Sequence, residues 1–149
     1  LGDVLDSGLE SYRRHEVFDL ARDAGRYDAL DEILDRHEVG SVPDSTPCPP
    51  GLAALRSLDR PAAVCTANAV AAAEGALERF GVADAVDVIV GRNTVPEDKP
   101  HLRPLERALE GLGVDAGNAA FVGDEPTDAG AAVATGTSYL HPDQLPADV

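Results

Sequence analysis

Methionine and tryptophan are absent from this 149-residue chain, lysine occurs once, cysteine twice, and aromatic residues make up 4%. A chain without methionine does not open at a translation start, so its native N-terminal segment is expected to lie outside this sequence. Two cysteines, Cys48 and Cys65, are too few for a disulfide framework. Cys65 also falls inside an apolar run, which points to a reduced intracellular thiol and a cytoplasmic protein. No apolar stretch approaches the length of a membrane span, and no signal-peptide pattern opens the chain. Basic residues are scarce as well: 12 Lys+Arg face 27 Asp+Glu, a formal charge of −15. That field excludes a nucleic-acid partner, because a phosphate backbone calls for a basic face. Low lysine with abundant Asp and Ala suits a salt-adapted, halophilic cytoplasm, where salt screens the mutual repulsion of acids. A GC-rich genome with an acidic proteome gives the same composition.

What is present has a clear order. The length suits one domain with a real core, or one domain with a small appendage. Residues 1–45 are expected to form a small helical cap: Leu1, Val4, Leu5 and Leu9 share a helical face, as do Val17, Leu20, Ala21 and Ala24. Leu30, Ile33, Leu34 and His37 repeat the spacing after a break at Gly25-Arg26. Gly40 to Gly51, with four prolines, reads as a linker. Residues 46–149 then alternate between helix and strand. The strands are Ala62–Cys65, Val86–Val90, Ala119–Val122 and Thr137–Leu140, with amphipathic helices between them. Short continuous apolar strands between such helices imply an α/β fold, a doubly wound parallel sheet covered on both faces. Ligands bind such sheets beyond the carboxyl ends of the strands.

Three groups of residues fall at those ends. Thr66 closes the first apolar strand and is followed by Ala67-Asn68; a hydroxyl with adjoining backbone N–H groups can hold a phosphoryl oxygen, or simply cap the next helix. Lys99, the single lysine, lies 33 positions on in Asp98-Lys99-Pro100. An ammonium is a compact mobile charge suited to one phosphate or carboxylate. Pro100 is expected at N1 of the following helix, and a loop lysine before it is expected to add little to the core. Asn93 and Thr94 are weaker candidates for shaping the same region. Asp124 follows Gly123 another 25 positions on, and Asp128 lies one helical turn later. Paired hard carboxylates at a strand end suit Mg²⁺; acids there also stabilise a helix start. His15, His37, His101 and His141 show no ligand spacing.

This order resembles the haloacid dehalogenase superfamily of hydrolases. Ala63-Val64-Cys65-Thr66-Ala67-Asn68 looks like the family's second motif, in which Ser or Thr binds the transferred phosphoryl group. Asp98-Lys99-Pro100 looks like the third, whose lysine steadies an aspartyl-phosphate. Gly123-Asp124 through Asp128 looks like the fourth, whose acids help hold Mg²⁺. Val90-Gly91-Arg92-Asn93-Thr94 and Phe121-Val122-Gly123-Asp124 also resemble the phosphoglycolate-phosphatase type. The resemblance covers roughly residues 49–140. It implies a Mg²⁺-dependent hydrolase of small phosphorylated metabolites, a monomer or homodimer. Lys99 and Thr66 would be its catalytic residues, with Thr66, Ala67, Asn68 and Lys99 binding phosphate and Asp124 and Asp128 binding metal.

The family's first motif, Asp-x-Asp on the first strand, is missing. Leu1-Gly2-Asp3-Val4-Leu5-Asp6-Ser7 fits it poorly, so the nucleophile and its strand are expected upstream of Leu1. In the family that strand lies between those ending at Thr66 and Val122. Without it the fold needs either the missing segment or direct pairing of those two strands. Three rivals follow. A catalytically inactive binding or regulatory protein would keep the scaffold without the nucleophile. A dehalogenase would have no use for Asp124 and Asp128 as metal acids. A receiver domain places its acids before the Thr and Lys, the reverse of the order here.

Overall fold

The computed structural model describes residues 14–146, and these divide into two compact units that meet between His37 and Glu38. The expected helix carrying Leu1, Val4, Leu5 and Leu9 lies outside the described residues. In the first unit, α1 (Arg14–Asp23) ends at Gly25, whose φ of +64° turns the chain into α2 (Tyr27–Ser41). Phe18 is buried there against Tyr27, and the Arg22 guanidinium lies over the Tyr27 ring. The helix α2 runs through the expected linker as far as Ser41 and passes into a short 3-10 turn, Val42–Asp44. Only residues 45–48 of the Pro-rich stretch lack regular structure.

The second unit is an α/β fold. Its elements run α3 (Pro49–Ser57), β1 (Ala63–Cys65), α4 (Val70–Arg79), β2 (Val88–Val90), α5 (Arg103–Leu112), β3 (Ala120–Val122), α6 (Pro126–Thr135) and β4 (Ser138–Leu140). The boundaries of α5 and α6 have local causes. Pro104 occupies the first turn of α5 and Gly113 closes it at φ +65°, while Pro126 opens α6 and Gly136 closes it at φ +79°. Pro100 is thus not the start of α5; it follows a cis Lys99–Pro100 bond in the preceding turn. The buried side chains are mostly small: Val90 is 1% exposed, and Leu105, Ala108, Ala131 and Ala132 surround the helices' inner faces. The helix α5 packs on β1 and β2, α6 packs on β3 and β4, and the two helices touch.

The strands do not form one sheet. Ala63–Cys65 pairs in parallel with Val88–Val90, and Ala120–Val122 pairs in parallel with Ser138–Leu140, as two separate two-stranded sheets. Of the two ways expected to complete the fold, direct pairing of β1 with β3 does not occur among the described residues. Alternate residues of a parallel strand turn both backbone groups to the same neighbour. Thr66 N–H donates to the Val90 carbonyl and Gly123 N–H to the Leu140 carbonyl. Ala63 and Cys65 on β1, and Ala120 and Val122 on β3, therefore turn theirs to the open sides. Ala120 and Val122 are exposed, Val122 at 37%.

Candidate active site

Lys99 links the carboxyl end of β1 to the start of the helix that follows β3. Its Nζ donates to the Cys65 carbonyl at 3.3 Å and to Asp128 Oδ1 at 2.5 Å, and lies 5.4 Å from the centre of the Phe121 ring. Its side chain is only 13% exposed and that of Asp128 7%. One ammonium thus touches both half-sheets and the helix that follows β3. The expectation that this lysine adds little to the core is overturned, because its charge is buried against an equally buried carboxylate.

Asp128 has a second duty. Its Oδ2 accepts the Glu125 N–H at 3.1 Å, while the Glu125 side chain accepts from the Asp128 backbone, a complete capping box. The N-cap of α6 is thus Glu125, and Asp124 lies one residue earlier, exposed at the end of β3. Gly123 is required just before them: a Cβ at that position would overlap the Asp128 side chain. Tyr139, on β4, donates its hydroxyl proton to the Gly123 carbonyl at 2.7 Å and fixes this turn from the other side. Nothing in the spacing of the sequence marked Tyr139, since its partner is a backbone atom sixteen residues away.

Thr66 is partly buried, one residue beyond the carbonyl that Lys99 holds. Its Oγ1 accepts the Asn68 N–H at 3.1 Å, leaving its own proton to donate outward. It does not cap the next helix, because α4 begins at Val70 with Ala69 as its N-cap. The Ala69 N–H is already taken by Glu38 Oε2 at 2.7 Å. The neighbouring loop after β2 is shaped by both expected residues. Thr94 Oγ1 accepts the Gly91 N–H at 2.9 Å, and Asn93 adopts φ +69°. His101 and His141 each accept a nearby backbone N–H through Nδ1.

Burial pushes the Cys65 thiol above its ordinary value of 9.0; Lys99 pulls it back and Asp128 pushes it further up. The cysteine is therefore a neutral wall of this region.

The structure brings Lys99 and Asp128 together, holds Lys99 on the carbonyl of the residue before Thr66, and leaves Asp124 exposed at the end of β3. Among the described residues no three His, Cys, Asp or Glu side chains converge on one point. Magnesium takes one or two protein carboxylates and keeps several waters, so exposed Asp124 fits as a ligand. Asp128 has Oδ1 on the Lys99 ammonium and Oδ2 on the Glu125 N–H, and each carboxylate oxygen keeps a further lone pair.

Comparison with known proteins follows the same residues. The haloacid dehalogenase-like hydrolase family matches residues 22–141. Phosphoglycolate phosphatase of Neisseria meningitidis is 46% identical over 87 residues, 58% of this chain and 37% of that protein. The chain thus spans little more than a third of that relative's length. N-acetylmuramic acid 6-phosphate phosphatase of Pseudomonas aeruginosa is 31% identical across 97% of this chain and 69% of its own length. A crystal structure of a Lactobacillus plantarum protein superposes with a TM-score of 0.66 at 20% identity, covering 84% of this chain and 63% of that one, a likeness of fold. On the match over residues 22–141, the chain belongs to the haloacid dehalogenase-like hydrolases.

Proposed function

We propose that this chain carries the phosphate-holding part of a magnesium-dependent phosphatase acting on small phosphomonoesters through an aspartyl-phosphate. The observation that carries the reading is the Lys99 ammonium held at the mouth between β1 and β3 by Cys65 and Asp128. A preorganised charge in a partly dry site stabilises developing negative charge far better than one in water. Thr66 donates its hydroxyl proton to an equatorial phosphoryl oxygen. Lys99 neutralises charge on the phosphoryl group and on the attacking carboxylate, and Asp128 keeps the ammonium aimed. Asp124 offers a carboxylate to Mg²⁺, which when bound neutralises phosphate charge as a Lewis acid. The nucleophile belongs to a strand that seats between β1 and β3, its carboxylate beside Lys99; water then hydrolyses the acyl phosphate. The substrate is a small phosphorylated metabolite, of the kind for which the Neisseria and Pseudomonas relatives are named. The acidic composition and unpaired thiols support a cytoplasmic setting; no helix among the described residues is long and apolar enough to cross a membrane.

A titration of the 149-residue chain tests this reading, using inorganic phosphate and Mg²⁺ followed by amide chemical shifts. Phosphate is expected to shift the amides around Thr66 and Lys99, and Thr66→Val to remove the effect. Asp124→Asn is expected to weaken Mg²⁺ binding while Glu125→Gln leaves it unchanged; equal effects would show general acidity and not a site. The chain alone is expected not to turn over an aryl phosphate. Magnesium-dependent turnover abolished by Thr66→Val would place the nucleophile inside these residues and overturn its assignment. Phosphate binding without turnover in every natural form of the protein favours the second reading, a binding protein on the same scaffold.

A further inference from the structure

A second buried ion pair lies away from Lys99, and neither the motif order nor the phosphate chemistry uses it. Arg92 Nη1 meets Glu38 Oε1 at 2.6 Å, with the arginine side chain 3% exposed and the glutamate 10%. We propose that Glu38 and Arg92 are positioning residues for the Thr66 loop, fixing residues 66–69 in the shape in which Thr66 meets a phosphoryl group. The proposal rests on the phosphatase reading for what the loop binds, but not for how the loop is held.

Taking two charges out of water is costly, and their attraction compensates only when further hydrogen bonds satisfy the remaining atoms. Here the further bond goes to the loop. Glu38 Oε2 accepts the Ala69 N–H at 2.7 Å, at the N-terminus of α4. The N-cap of α4 is that same alanine, which has no side chain able to cap. Glu38 supplies the missing acceptor from another element, and its negative charge suits the positive end of the helix. Arg92 grips the loop a second time, its own backbone N–H donating to the Asn68 carbonyl at 2.8 Å. Thr66 Oγ1 closes the loop internally on the Asn68 N–H.

The two loops are in backbone contact. A Cβ at Gly91 would lie 2.8 Å from the Val70 nitrogen and 2.9 Å from the Asn68 carbonyl oxygen, so only glycine lets Arg92 reach this position. The pair thus ties three segments, the end of α2, the loop after β1 and the loop after β2. It also decides where an anion can sit. With Glu38 on the helix N-terminus, an incoming phosphoryl group is repelled from α4 and directed to the Thr66 hydroxyl and Lys99.

The test uses the 149-residue chain, amide hydrogen exchange without phosphate, inorganic phosphate as the binding probe, and thermal midpoints. Glu38→Gln keeps the volume and removes the charge. It is expected to speed exchange at Ala69 about tenfold, the factor one charge-assisted hydrogen bond commands, and to weaken phosphate binding similarly. The double substitution Glu38→Leu with Arg92→Met replaces the pair by apolar groups of similar size, which commonly preserves stability. It is expected to keep a near-normal midpoint yet show the same fast exchange and weak binding. A merely structural pair would leave exchange and binding tracking the midpoint. A double variant that melts and binds phosphate like the parent overturns the proposal. If that variant does not fold, unchanged exchange at Ala69 in Glu38→Gln overturns it instead. A parent chain that ignores phosphate refutes the phosphatase reading, and with it the role in phosphate binding, whatever exchange shows of the loop.

Discussion

Replacing Lys99 with methionine removes one charge from a pair in which neither side chain is open to water. The lysine is 13% exposed and Asp128 7%, at a separation of 2.5 Å. Methionine keeps most of the aliphatic stem, so the perturbation falls on the ammonium. Breaking a buried pair from one side costs about 3–5 kcal/mol, because the survivor is left charged and poorly solvated. Asp128 retains the Glu125 N–H on its other oxygen, so the lower end, about 3 kcal/mol, is expected. Asp128→Asn should cost less, about 2 kcal/mol, since the ammonium keeps the Cys65 carbonyl. The double variant should lose less than the sum of the two, with a coupling of about 2 kcal/mol. The chain has no tryptophan, so urea melts are read by far-UV circular dichroism and not by intrinsic indole fluorescence. A coupling below about 0.5 kcal/mol, the scatter of independent sites, would refute the claim that these two charges hold one another.

Two further outcomes are expected. Gly123→Ala should destabilise by about 1–3 kcal/mol, the usual cost of forcing atoms into filled space, and should cost less when introduced into an Asp128→Ala background, in the same urea melts. With a thiol-specific reagent, exposed Cys48 should react well before Cys65, and Lys99→Met should slow Cys65 further by removing the one charge that lowers its value. The same thiol gives a pH dependence of known sign. Its native value lies above 9.0, so its stabilising contribution is complete below 9.0 and falls as pH rises from there through the native value. The parent should lose stability faster than Cys65→Ala across that window.

The strands and helices of the second unit were legible because each announces itself locally. Apolar runs marked β1 to β4 within one or two residues. Lys99 was legible as a singleton, and its meeting with Asp128 followed from the order of strand ends. What was not legible depends on partners distant in sequence. Glu38 and Arg92 are 54 residues apart, and each alone reads as a surface charge. The type and spacing of Asp128 suggested a metal ligand; its pairing with Lys99 and its part in the capping box depend on groups that the spacing alone does not place. The start of α5 was misplaced at Pro100 because a proline in a turn and a proline opening a helix look alike in sequence, and Pro104 four residues later takes that role.

The division of the sheet bears on how the second unit comes apart. Main-chain ladders do not carry cooperativity from β1 to β3 among the described residues; the α5–α6 contact and the Lys99 contacts do. Each strand pair with its helix is therefore a candidate foldon, able to open while the other stays closed. Amide exchange should sort the unit into two protection classes, β1 with β2 and β3 with β4. A strand seated between them would merge the two into one class, making global unfolding the only way in.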